Sequence, residues 1–198
     1  MNRRDLFRTT LIGAVAVVPA ARAREFPPGQ DASKDLERAD WKPLFMDEHQ
    51  NETVIALSDV IIPATDTPGA KAALVNRFLD LLMSAETAET QRAFFAALSY
   101  IDGACMERYK AAFLYVAPEQ QIEFLNLLAY PHTHETWHSK NEPFPGHDHF
   151  EKMKSWITGA YYSSPIGLKE LGWDGSFPHG AFAGCSHAAG EHPESTQD

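Results

Sequence analysis

Five histidines crowd one stretch of the chain: His132, His134, His138, His147 and His149, with Glu135 and Asp148 beside them. Imidazole is a common ligand for zinc and copper, so two His-x-His pairs flanking one loop could converge on a metal ion. The spacing matches neither H-E-x-x-H nor a cysteine-histidine ligand set. A polar, exposed loop accounts for the same residues without any metal. Other chemistry lacks a signature: the chain has no G-x-G-x-x-G for a dinucleotide, no G-x-x-x-x-G-K-[ST] for phosphates and no G-x-S-x-G nucleophile turn. No C-x-x-C-H is present to attach a c-type haem. This reading therefore assigns no catalytic, cofactor-binding or metal-binding residue to the chain itself.

The two cysteines differ in setting. Cys105 continues a stripe with Phe94, Leu98 and Ile101 at helical steps, so it reads as a buried core residue. Cys185 lies in a glycine-rich segment where a thiol is reachable. It is the candidate for a disulfide to a partner chain, with a bridge to Cys105 and a free thiol as alternatives.

The elements that would position these groups are helical. Period-3.6 patterns predict helices from about Gln50 to Ile62 (Val54, Leu57 and Ile61 inward), from Pro68 to Met83 with Thr67 as N-cap (Leu74, Phe78, Leu81 and Leu82 inward), and from the polar stretch Ser84 to Thr90 as far as Tyr109. Gly103 inside the third helix costs about 1 kcal/mol against alanine, a penalty that close packing against another helix could offset. A fourth helix begins at Ala117-Pro118 with Ile122, Leu125 and Leu128 inward, and a fifth runs from His147 to Tyr162 on the stripe Phe150, Met153, Ile157 and Tyr161. No segment alternates with a period of two. The expectation is an all-α protein, a single bundle of about five helices, with an irregular C-terminal tail from about residue 163.

That tail is punctuated by Pro165, Gly167, Gly172, Gly175, Pro178, Gly180 and Gly184, yet Ile166, Leu168, Leu171, Trp173, Phe177 and Phe182 make it too apolar to be solvated. Such a segment needs a surface to lie on, either that of its own domain or that of a partner. Tyr162, Trp173, Phe177 and Phe182 are accordingly the candidate contacts with a partner, because aromatic anchors dominate interfaces.

At the other end, Arg3 and Arg4 precede a short, weakly apolar run from Leu11 to Val18, and Ala21-Arg22-Ala23 has the form of a cleavage site. Residues 1–23 are read as a twin-arginine export signal, with an ordinary Sec signal carrying chance arginines as the alternative, and the reading predicts a periplasmic protein. Residues 24–49, with Pro27, Pro28 and Gly29, are read as a flexible leader, and residues 50–198 as the helical domain with its tail. No later stretch approaches the roughly 20 apolar residues a membrane helix needs, so direct membrane insertion is not expected. A formal charge of -10 over 198 residues argues against nucleic acid as a partner.

Two stretches carry a family likeness. TGAYYSSPIGLKELGWDG followed by GAFAGC, and LSDVIIPATDTPGAKAALVNRFLDLLM from Leu57 to Met83, resemble the gluconate 2-dehydrogenase subunit 3 family, the small subunits of periplasmic flavin-dependent sugar and sugar-acid dehydrogenases. The likeness covers most of the chain after Asn51; the His-rich stretch from Pro131 to Gly146 departs from it. The resemblance implies a noncatalytic small subunit that supports maturation and export of a large FAD-binding catalytic subunit of the glucose-methanol-choline type. It further implies a multihaem cytochrome c subunit as electron acceptor, with the complex held at the membrane through its partners. The alternative from the residues alone is a free-standing periplasmic metal-binding protein or metalloenzyme using the His132 to His149 loop.

Overall fold

The computed structural model describes residues 32–130 and 145–173. Among these residues there are six α-helices and no strand: five longer ones, as the apolar periodicity predicts, and a short sixth within the tail read as irregular. They are α1 (Glu48–Ile61), α2 (Val75–Ala85), α3 (Ala88–Tyr109), α4 (Pro118–Ala129), α5 (His147–Tyr162) and the short α6 (Pro165–Glu170). None of the described helices is long and apolar enough to cross a membrane.

Local chemistry sets most of the boundaries. Asp47 opens α1 with a capping box: its carboxylate accepts from Gln50 N at 2.8 Å while Gln50 Oε1 accepts from Asp47 N at 2.9 Å. Pro63 follows the helix and prevents its continuation. Thr87 caps α3 by accepting from Thr90 N, and Pro118 occupies the first position of α4.

Helix α5 is the hub, in contact with each of the other five helices. Phe150, Met153, Ile157 and Tyr161, the stripe its sequence displays, are all buried. They meet Val54 and Leu57 of α1, Leu79 and Met83 of α2, Phe94, Ile101 and Cys105 of α3, and Leu125 and Leu128 of α4 in one continuous core. Each large side chain buried there contributes roughly 1.5–3 kcal/mol.

Four expectations need correction. Helix α2 begins at Val75 and not at Pro68, because the connection from Ile62 is folded tightly on itself. Ala70 N donates to Ile62 O at 2.9 Å, and a Cβ on Gly69 would stand 2.5 Å from Ala64 N. The buried face of α2 is Val75, Asn76, Leu79, Asp80 and Met83, one position displaced from the expected stripe and partly polar. Ile122 of α4 points outward, since Phe124, Leu125, Leu127 and Leu128 form the inner face. Gly103 has no close neighbour: a Cβ there would meet nothing within 4 Å.

The polar residues of α2 explain how the chain before α1 is held. Asp80, 1% exposed, accepts the N–H groups of Leu44, Phe45 and Met46 at 2.7, 3.0 and 2.8 Å. Three such bonds offset the cost of burying a carboxylate. One turn earlier, Arg77 donates to the carbonyls of Leu36 and Arg38 and lies over the Trp41 ring. Phe45 stacks on Phe95 with centroids 4.6 Å apart. Residues 36–46, within the stretch read from composition as leader, thus form a strap fastened to α2 and α3.

Candidate functional site

The site that the structure builds is the corner where α5 turns into α6. Tyr161 and Tyr162 end α5 with their rings edge to face, 5.1 Å apart. Ser163 closes the helix, and Ser164 Oγ accepts from Gly167 N at 3.1 Å to open α6, with Pro165 in its first turn. Position 167 has to be glycine, because any Cβ would collide with the carbonyl of Tyr161.

The far end of α6 is equally defined. Trp173 N donates to Leu168 O and Gly172 N to Lys169 O, each at 3.0 Å, with Gly172 at a φ of 78°. This is a Schellman motif, in which glycine supplies the left-handed residue that ends the helix. The sequence Ser-Ser-Pro-Ile-Gly-Leu-Lys-Glu-Leu-Gly-Trp therefore encodes one cap, one compact turn and one stop.

Side chains fix the corner to the body. The Tyr161 hydroxyl lies 2.7 Å from the Pro68 carbonyl and 2.5 Å from Glu170 Oε2. Burial, reinforced by the Glu170 carboxylate, pushes the Tyr161 phenol up to about 12, so it keeps its proton. Large apolar and aromatic groups emerge outside this anchor, beside the exposed Lys169 and Glu170. Leu171 is 65% exposed, while Tyr162 and Trp173 are each 38% exposed.

Of the residues singled out from sequence, Tyr162 and Trp173 are thus brought to one corner. Arg3, Arg4, Phe177, Phe182 and Cys185 lie outside the described residues, as do His132, His134 and His138. The two described histidines of that cluster face the fold. His147 Nδ1 is 2.7 Å from Leu128 O, and His149 stacks on Tyr100 with centroids 4.8 Å apart. Among the described residues no group of three metal-ligating side chains comes together. Cys105 is a free thiol with no exposed surface, pushed up to about 12 by burial and secondarily by Asp102.

Sequence reasoning named Leu171 only as one apolar residue of the tail and gave Glu170 no role, having read everything from 163 onward as irregular. A signal was available: serine followed by proline is a helix start, and glycine after Leu171 is a helix stop.

The family model for gluconate 2-dehydrogenase subunit 3 matches residues 48–178, from the first residues of α1 to beyond the corner. The chain belongs to the gluconate 2-dehydrogenase subunit 3 family. No curated protein and no solved structure matches it. As a subunit 3 chain it is one component of a dehydrogenase assembly, which implies partner subunits. The matched region contains the whole described corner, so the part of subunit 3 that its family model recognises includes Tyr162, Leu171 and Trp173.

Proposed function

We propose that this subunit 3 protein is a noncatalytic small subunit of a periplasmic FAD-dependent sugar or sugar-acid dehydrogenase. In this reading its role is to support maturation of the large catalytic subunit, of the glucose-methanol-choline type, and to carry it through the twin-arginine route. Electrons leave the flavin for a multihaem cytochrome c subunit, and the small subunit contributes no redox group of its own.

The observation that carries the reading is the family match across residues 48–178. Two features agree with it. Arg3 and Arg4 stand ahead of a weakly apolar run, as an export signal requires. The α5–α6 corner offers Leu171 and Trp173 on a rigid, capped turn, the arrangement from which interface anchors are built. Tyr162 borders them, and Phe177 and Phe182 follow within ten residues.

The test is purification of the chain from its own periplasm. A large flavoprotein with sugar-oxidising activity is expected to copurify, and to be lost when Trp173 and Phe182 are both replaced by alanine while the helical signal of the isolated subunit stays intact. Recovery of the wild-type chain alone overturns the proposal.

A further inference from the structure

Helix α6 has six residues, and a helix of that length does not persist in water on its own propensity. Packing seats its first turn, where Gly167 is buried and Ile166 lies against the core, and leaves Lys169, Glu170 and Leu171 exposed. The direction of its C-terminal end must therefore come from hydrogen bonds and from whatever ties that end to the body. The cap at Ser164 and the Schellman turn at Gly172 set its internal geometry. Neither joins it to another part of the fold.

Among the described residues, the side-chain hydrogen bond from the end of α6 to the body is made by one carboxylate, that of Glu170. Glu170 Oε2 meets the Tyr161 hydroxyl, and the same hydroxyl meets the carbonyl of Pro68 in the α1–α2 connection. The Tyr161 side chain is otherwise sealed in the core, so its oxygen is a fixed point. Tyr162 Oη stands 3.5 Å from Glu170 Oε1, at the limit of a hydrogen bond, on the solvent side of the same group. Glu170 immediately precedes Leu171 and is three residues ahead of Trp173, so its attachment fixes the point of α6 from which both side chains depart.

We propose that Glu170 is a positioning residue: through Tyr161 it holds Leu171 and Trp173 in the arrangement the catalytic partner subunit receives. The inference rests on the reading of this chain as a small subunit. Its physical basis is preorganisation, because side chains already ordered before association do not have to be immobilised during it. The carboxylate acts on binding while contributing little to the bundle, whose core does not include it.

The experiment uses the full-length protein and the flavoprotein subunit that copurifies with it. Glu170→Ala is expected to speed amide exchange in residues 165–173 selectively and to weaken association about tenfold, the scale of freeing two or three interface side chains. The melting temperature should stay within about 2 °C of wild type, as for a change outside the core. Glu170→Gln retains an acceptor for the Tyr161 hydroxyl and should restore both readouts. Unchanged exchange in Glu170→Ala overturns the clamp, and faster exchange with wild-type affinity overturns its role in binding. Failure of the wild-type chain to bind any flavoprotein instead overturns the subunit reading, while the exchange measurement on the isolated chain still decides the clamp.

Discussion

His49 Nε2 lies 2.6 Å from Asp102 Oδ2, joining the first turn of α1 to the middle of α3. The other oxygen of Asp102 accepts the N–H of Phe113, 3.0 Å away, so one carboxylate staples two helices and the 3-10 turn Phe113–Tyr115. His49 is half-exposed, which limits the worth of the ion pair itself. The bond to Phe113 matters more, because that residue is buried and its amide has no water to turn to.

Asp102→Ala is therefore expected to cost about 1–3 kcal/mol in urea unfolding, the penalty of an unmet buried donor. Asp102→Asn should lose much less, since its oxygen can still face Phe113 N while its amide donates to His49. Equal losses in the two variants would show that charge, and not the bond to Phe113, is what counts.

Asp80 should be the more costly carboxylate. Removing it in Asp80→Ala strands three backbone donors at Leu44, Phe45 and Met46, for an expected loss of about 2–4 kcal/mol. Asp80→Asn keeps an oxygen for Phe45 and Met46 but turns an N–H toward Leu44 N, and should fall in between. Limited proteolysis offers a second check, with cleavage in residues 36–46 appearing in the alanine variant at protease levels the wild type resists.

Two glycines are predicted to respond with opposite sign. Gly103→Ala fills open space on α3 and should stabilise by about 0.5–1 kcal/mol through helix propensity. Gly146→Ala must hold a φ near 92° and would drive its methyl into the Tyr100 ring, so a loss of about 2 kcal/mol or more is expected. Thermal melts of the pair measure both.

For the cysteines, the expected outcome is a subunit-linking bridge at Cys185 and an inert Cys105. Nonreducing electrophoresis of the native complex should show a band at the summed mass of two subunits that disappears in Cys185→Ser. A mapped peptide joining Cys105 to Cys185 would refute it. Cys105 should resist alkylation at pH 8 until the protein unfolds. Unfolding returns that thiol to its ordinary value near 9, so stability should decline as pH rises from there toward 12.

Replacing Arg3 and Arg4 together by lysine should leave this subunit and its flavin partner in the cytoplasm. Fractionation with an activity assay provides the measurement. Normal periplasmic activity of the partner in that variant would contradict shared export.

The helices were legible wherever the apolar stripe was continuous. Helix α5 is the clearest case: Phe150, Met153, Ile157 and Tyr161 mark both its face and its extent, and the structure buries all four. Helix α2 was misread for a tertiary reason. Asn76 and Asp80 look like surface residues in sequence, but Asn51 and the amides of residues 44–46 satisfy them inside the fold. Those partners are 25 to 36 residues away in sequence, beyond the reach of any local pattern. At the site, the aromatic character of the tail pointed to Trp173 and Tyr162. The Tyr161 to Pro68 contact, spanning 93 residues, left no local trace.

The strap also fixes an order of events. Residues 36–46 leave the ribosome before α2, yet the carboxylate that seats them belongs to Asp80, more than 30 residues later. Loop closure over that span cannot be rewarded until α2 exists and has paired with α1. This segment, made before the helices that hold it, is thus among the last to settle, and its protection from exchange serves as a clock for completion of the helices behind it.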